Sequence, residues 1–155
     1  MYSGVMNPTG LYPESLCPIA RSLDLLGQKW SLMIVREAVA GATRFADFRA
    51  IGIPSDILTK RLTSLVDAGV MERRPYREAG ERARDDYHLT PAGMALLPVL
   101  SALVEWGTEY LPIPAGRTLE NVTTDTHEAV HVAYVNDAGE VINQDRVTIQ
   151  TVPAA

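Results

Sequence analysis

Cysteine is almost missing from this chain: Cys17 is the single one. An internal disulfide is therefore excluded, and such usage fits a reducing cytosol. Long apolar runs are missing too. With no eighteen consecutive apolar residues, no membrane span is expected. The opening stretch MYSGVMNPTG has no basic start followed by an apolar run, so no secretory signal is expected and the expected location is cytoplasmic. Repeats and low-complexity tracts are absent. Positive charge is also scarce, with 14 Lys+Arg against 19 Asp+Glu, and a net charge of −5 by itself speaks against a nucleic-acid partner. What is present is ordinary for a soluble globular protein. The 155 residues are 46% hydrophobic and 21% charged, enough for one domain and a short appendage.

The distribution of charge changes the reading. Between residues 17 and 90, twelve Lys/Arg face ten Asp/Glu, whereas from 91 onward only Arg117 and Arg146 oppose eight acids. The segment 44–84 alone carries nine basic residues against six acids. A basic region is thus joined to an acidic tail.

Punctuation along the chain divides it into elements. Residues 1–16 mix Pro, Gly, Ser and Asn without periodicity and read as a loose arm. Pro18 suits a first helical turn, after which Ile19, Ala20, Leu23 and Leu26 recur at helical spacing up to Gly27. A second apolar run, 30–40, predicts a central core helix. Thr43 is a candidate cap for a short third helix carrying Phe45 and Phe48. Ile51-Gly52-Ile53-Pro54 turns the chain into a fourth helix, whose buried face is marked by Leu58, Leu62 and Leu65 and which stops at Gly69. Extended runs at 70–76 and 87–89 flank a polar loop, 77–86, and so predict a hairpin. Thr90-Pro91 opens a long helix to about Leu111, with a kink expected at Pro98. Beyond it, Thr and Val dominate, and 129–135, 141–144 and 147–151 read as strands, with Asn136-Asp137-Ala138-Gly139 as a turn.

Three helices, a two-stranded hairpin and a further helix, in that order, predict an α+β winged helix-turn-helix with a long C-terminal dimerisation helix and a small β-rich tail. If Leu58, Leu62 and Leu65 face the core, the opposite side of the fourth helix carries Asp56, Thr59, Lys60 and Thr63, with Ser55 near its start. Short hydrogen-bonding groups and one cation suit base-edge and phosphate contacts in a major groove, which admits one helix. The bland alternative is a solvated stripe. The hairpin adds Arg73, Arg74 and Arg77 on its first strand and Arg82 and Arg84 in its loop, of which Arg77, Arg82 and Arg84 are candidates for the DNA backbone or minor groove. Glu78, Glu81, Asp85 and Asp86 could instead pair with them. The long helix carries Leu96, Leu97, Val99, Leu100, Leu103, Val104, Trp106, Tyr110 and Leu111, more apolar surface than one packing face needs. A homodimer is expected from that surplus, with packing of the tail as the alternative. Two such helices about one DNA turn apart call for a pseudo-palindromic operator.

At this point the chain resembles a known family. The segments CPIARSLDLLGQKWSLMIVREAVAG, TRFADFRA, ILTKRLTSLVDAGVMERRPY, YHLTPAG and LLPVLSALVEWG follow the order and spacing of the HxlR family of bacterial regulators, relatives of the MarR group. The resemblance runs from Cys17 to about Tyr110. It implies a winged-helix fold, a homodimer, double-stranded DNA as partner and control of nearby operons, as a repressor or an activator. One departure is the wing loop, where GERARDD replaces a short proline-containing loop. The resemblance also implies a role for Cys17, since some members sense electrophiles or oxidants through a cysteine there. A helix N-terminus and Arg21 one turn on would both favour the reactive thiolate. The alternative is an inert, half-buried thiol near the dimer interface. A small-molecule effector is a further possibility, and the tail could line its pocket or cover the dimer helix.

His127-Glu128-Ala129-Val130-His131 matches H-E-x-x-H, the zinc-hydrolase pattern, which requires both histidines on one helical face. The segment runs into VHVAYV, which prefers a strand, where residues four apart lie about 13 Å from each other. No metal, cofactor or catalytic role is therefore expected. His88, on the outer side of the wing, reads as solvated. The expected organisation is an N-terminal arm (1–16), a DNA-binding and dimerisation domain (17–111) and a β-rich extension (115–155). A winged-helix module that binds another protein, without specific DNA binding, is the competing reading.

Overall fold

The computed structural model describes residues 17–77, 80, 83–111, 116 and 118–150. The proposed arm and Arg82 lie outside the described residues. Chain order is α1 (Pro18–Leu26), α2 (Ser31–Val39), α3 (Phe45–Arg49), α4 (Ser55–Asp67), β1 (Met71–Tyr76), β2 (Arg84–Leu89), α5 (Pro91–Met94), α6 (Leu97–Tyr110), β3 (Tyr134–Val135) and β4 (Val141–Ile142). Two compact units result, residues Met1–Leu100 and Ser101–Ala155. Helices combine with two separate antiparallel pairs, β1–β2 and β3–β4, so the class is α+β.

The core of the first unit is small and almost wholly apolar. Ile34 and Val35 of α2, Phe48 of α3, Ile53, Leu58, Leu62 and Leu65 of α4, Val70 and Met71 are all buried. Leu58, Leu62 and Leu65 recur at i, i+4 and i+7 and are fully enclosed, which is the predicted inward stripe. Gly69 closes α4 with φ +72°, a left-handed conformation that glycine adopts without a Cβ penalty. Trp30 also has positive φ (+83°) at the entry to α2, which costs a non-glycine residue roughly 1 kcal/mol or more. Packing of its indole against the core offsets that cost.

The cap of α3 differs from expectation. Arg44, not Thr43, holds the N-cap position, and the cap group is the Asp47 carboxylate, which accepts the backbone N–H groups of Thr43 (3.2 Å) and Arg44 (2.9 Å). An acid in the first turn also suits the positive end of a helix.

β1 and β2 pair in register from Met71 opposite Leu89 to Tyr76 opposite Arg84. The second strand is longer than its apolar residues indicate. Arg84, Asp85 and Asp86, read from sequence as loop, are strand residues because β1 offers a paired backbone through Tyr76. Arg77, assigned to the first strand, lies just beyond its end. The hairpin is tied to the core by a third extended segment: Arg44 bridges to Asp86, and the Tyr87 N–H donates to the Thr43 carbonyl at 2.7 Å. The rings of Phe48 and Tyr87 meet edge to face, with centroids 6.5 Å apart. His88 is half-buried rather than solvated, its Nε2 3.9 Å from Asp86 Oδ2 on the same strand face.

Thr90 joins three elements. Its hydroxyl donates to the Gly69 carbonyl (2.5 Å) and accepts from the Gly93 N–H (3.2 Å), while its own N–H donates to the Val70 carbonyl (3.1 Å). The expected single helix with a kink at Pro98 is instead two helices broken at residues 95–96. The proline ring would crowd the carbonyl four residues earlier, at Met94, so the break falls before the proline. Pro98 then occupies the first turn of α6, where its missing N–H costs nothing.

In the second unit, Glu105 of α6 is a hub. Its Oε1 accepts from the Val132 N–H (2.9 Å) and Asn121 Nδ2 (3.3 Å), and lies 3.5 Å from His131 Nδ1. Asn136 organises the predicted turn, its side-chain oxygen accepting from the N–H groups of Ala138 and Glu140 at 3.0 Å each. The tail strands are shorter than expected. Among the described residues of the tail only 134–135 and 141–142 form a ladder, Ala129 makes an isolated bridge to Val122, and residues 147–150 are not in a strand. β-propensity is realised only where a neighbouring strand meets it.

Gly93 tests this packing. A Cβ built there would lie 2.2 Å from the Val70 carbonyl oxygen and 2.8 Å from the Leu89 side chain. Gly93→Ala is expected to lower stability by about 2 kcal/mol or more through overpacking. Gly69→Ala, which meets open space but has positive φ, should lose only about 1 kcal/mol. Urea denaturation of the two variants reads the difference, and equal losses would contradict the close approach.

Candidate nucleic-acid interface

With its leucines inward, α4 leaves a polar edge outside. Ser55, Asp56, Thr59 and Lys60 are exposed, and Thr63 is half-buried. No side chain caps this helix, because Pro54 precedes it and provides no acceptor. Its first-turn N–H groups therefore lie at the same end as Ser55 and Asp56, an arrangement that favours anions. Two hydroxyls turn back to the helix: Thr59 donates to the Ser55 carbonyl (2.9 Å) and Ser64 to the Lys60 carbonyl (3.0 Å). Thr59 still has oxygen lone pairs to accept with. Lys60 is the cation of the exposed edge.

Thr63 has a second role that the helical wheel does not show. Its hydroxyl accepts from an Arg73 guanidinium nitrogen at 3.2 Å, and that guanidinium also lies 5.9 Å from the Tyr87 ring. Arg73 is thereby held at the junction of α4 and the hairpin. Arg74 is paired with Glu72 Oε1, its Nε at 2.8 Å. Both strand arginines remain exposed, Arg73 reaching across to α4 and Arg74 pairing within β1. Arg77, beyond β1, and Arg84, at the start of β2, are exposed.

Sequence reading passed over Arg44. Its guanidinium carbon lies over the Tyr76 ring, 4.8 Å from the centroid, and together with Arg84 it borders a cleft of about 400 Å³ between α3 and the hairpin. The wheel could not find it, because its neighbourhood is made by the bridge to Asp86, across forty-two residues of chain. Arg61, on the flank of α4, is half-buried with its Nε unpartnered among the described residues.

Cys17 is exposed, in extended conformation immediately before α1, with Arg21 one turn on. The histidine pattern does not form a helix. His127 adopts a left-handed turn (φ +58°), its N–H donating to the Thr123 carbonyl at 3.2 Å, and the chain from 127 to 131 is irregular apart from the bridge at Ala129. The two histidines therefore share no helical face. Among the described residues, no three His, Cys, Asp or Glu side chains gather as a metal site, and no helix is long and apolar enough to cross a membrane.

Comparison with known proteins agrees with this arrangement. The HTH-type transcriptional regulator Rv3095 of Mycobacterium tuberculosis is 43% identical over 99 residues, which cover 63% of this chain and 61% of that protein's length. The crystal structure of PA1607, described as a candidate transcription factor, superposes with a TM-score of 0.76 at 33% identity, over 88% of this chain and 96% of the other. The redox regulator HypR in its reduced form superposes with a TM-score of 0.52 at 30% identity, covering 60% of this chain and 92% of that one. Residues 25–115 match the HxlR-like helix-turn-helix family, and with the α4 edge and the hairpin placed as that fold requires, the chain belongs to this family.

Proposed function

We propose that this protein is a transcription regulator that binds double-stranded DNA as a homodimer, without catalytic activity, in the cytoplasm. One observation carries the reading: α4 buries Leu58, Leu62 and Leu65 completely while Ser55, Asp56, Thr59 and Lys60 stay exposed on the other side. A helix anchored so tightly on one face can insert its other face into a major groove without losing its place in the fold. Ser55, Asp56, Thr59, Lys60 and Thr63 form the reading edge, and Arg77, Arg82 and Arg84 contact the backbone or the minor groove. Residues 17–111 would serve as the DNA-binding and dimerisation domain and 115–155 as an extension.

The dimer rests on α6. Val99, Leu103, Trp106 and Tyr110 fall at i, i+4, i+7 and i+11, one continuous stripe of large apolar side chains, each at least 45% exposed. An apolar stripe of that length facing water is costly, and a second copy covers it. Pairing through a two-fold axis presents two α4 helices to half-sites about one DNA turn apart, roughly 34 Å, so the operator is pseudo-palindromic. Repression follows if that operator overlaps a promoter. An oxidant or electrophile response through Cys17 is the finer part of the reading, supported by the exposed thiol and by the likeness to a redox regulator.

Thr59→Ala combined with Lys60→Ala should reduce affinity for a selected operator by about a hundredfold or more, at roughly 1–3 kcal/mol per base contact, with melting temperature unchanged. Fluorescence anisotropy measures this. Retained specificity would mean that another face reads DNA. Wild-type affinity should also fall steeply between 50 and 200 mM salt through counterion release, roughly in proportion to the phosphates neutralised. A salt-insensitive partner would favour the protein-binding alternative.

Leu103→Glu with Trp106→Glu should give a folded monomer by sedimentation at micromolar concentration, and a persistent dimer would place the interface elsewhere. Diamide or a quinone should change operator affinity of the wild type and leave Cys17→Ser unaffected. Identical responses of the two would remove the sensor from the reading.

A further inference from the structure

In the second unit, the chain from 128 to 136 uses its backbone groups along one edge. The Glu128 carbonyl accepts from the Thr123 N–H (2.9 Å), and the Val130 N–H donates to the Asn121 carbonyl (2.9 Å). The Val132 N–H donates to Glu105 Oε1 (2.9 Å). Tyr134 is paired with Ile142, and the Asn136 N–H donates to the Glu140 carbonyl (3.1 Å). All of these residues are even-numbered, and an extended chain turns alternate residues to opposite edges. Val135 stands opposite Val141 between two bonded pairs and so points away from β4. Ala129, His131, Ala133 and Val135 thus face the second edge, where they make no backbone hydrogen bond among the described residues.

That edge has none of the features that keep strand edges apart. Residues 129–136 contain no Lys, Arg, Asp, Glu, Pro or Gly. Val130, Val132, Tyr134 and Val135 are 42–57% exposed. A sheet of two strands is also marginal in water, and three or more are needed for stability. A second copy answers each point. Antiparallel pairing of the segment with itself puts the small side chain of Ala133 on a two-fold axis. His131 then lies opposite Val135 of the partner subunit, and Val132 opposite Tyr134 of the partner subunit. Glu128 precedes the uncharged run and Asp137 follows it. A register shifted along the strand draws one of these acids into the ladder against apolar side chains, so the centred register is selected. The two-fold closes both open edges at once, which keeps the assembly finite.

We propose that residues 131–135 pair with the same residues of a second copy, joining the two β3–β4 hairpins into one four-stranded sheet. The contact is additional to the α6 stripe and does not depend on DNA binding.

The test places Ala133→Cys in a Cys17→Ser chain, so that the new thiol is the only one, and oxidises it at low micromolar concentration. Directly opposed residues of such a ladder have Cα atoms about 5.5 Å apart, within disulfide reach. A covalent dimer should form about tenfold faster, or more, than in Val132→Cys, whose equivalents lie roughly 8 Å apart, or in Ala138→Cys at the turn. Val132→Cys combined with Tyr134→Cys should cross-link as readily as Ala133→Cys, which keeps the test decisive if that variant fails to fold. Ala133→Lys sets like charges across the axis at an exposed position. It should weaken self-association about tenfold by sedimentation, with melting temperature unchanged. Cross-linking at residue 133 no faster than at 138, equal rates at 132 and 133, or self-association undiminished by the lysine overturns the proposal. The first of these leaves the edge to a strand of a different protein. Failure here is distinguishable from failure of the α6 dimer: if Leu103→Glu with Trp106→Glu leaves a dimer that Ala133→Lys then dissociates, α6 drops out of the reading and the edge stays in it.

Discussion

The structure depends on the burial of three leucines. Leu58, Leu62 and Leu65 enter a pocket made by Ile34, Val35, Phe48, Ile53, Val70 and Met71, and none of the three keeps contact with water. At about 25 cal/mol per Å² of apolar surface, each such side chain contributes roughly 1.5–3 kcal/mol, enough to hold the rotation of α4 about its own axis. A turn of the helix by one residue would bury Thr59 and Thr63, or Arg61 and Ser64, so the same burial that stabilises the unit also decides which polar groups face outward.

Once α4 is held, the hairpin follows from backbone hydrogen bonding. Gly69 reverses the chain, β1 leaves directly from the core through Met71, and Thr90 returns the second strand to the end of α4. The segment at Thr43 and Arg44 supplies a third backbone, so β2 is not left as an open edge there. The wing is thus braced at its root on both sides. Arg73, bonded to Thr63, adds a side-chain tie between hairpin and helix.

Much of this was legible in the residues. Helical spacing of leucines, Pro18 at a first turn, Gly69 as a stop, Thr90-Pro91 as a start and Asn136-Asp137-Ala138-Gly139 as a turn are local signals, each set by one or two residues and realised as read. What failed was less local. Strand ends at Tyr76 and Arg84 are set by a partner's backbone, so charged Asp85 and Asp86 joined a strand despite poor propensity. The break falls at residues 95–96, two to three residues before Pro98, rather than as a kink at the proline itself. In the tail, Val and Thr promised three strands, yet among the described residues only two residues of each of two segments found a ladder.

The sequence by itself determined the order of elements, the inward stripe of α4, the outward set from Ser55 to Lys60 and the family, because helical period and turn chemistry act within a few residues of chain. Tertiary structure alone decided that Arg73 reaches Thr63 on α4, that Asp47 caps α3, that His88 is half-buried, and that Arg44, Tyr76 and Arg84 line one cleft. Those groups lie tens of residues apart. Only the pairing of β2 with both β1 and the Arg44 segment brings them within reach of each other, and a pairing register is a property of two backbones that neither stretch of sequence carries alone.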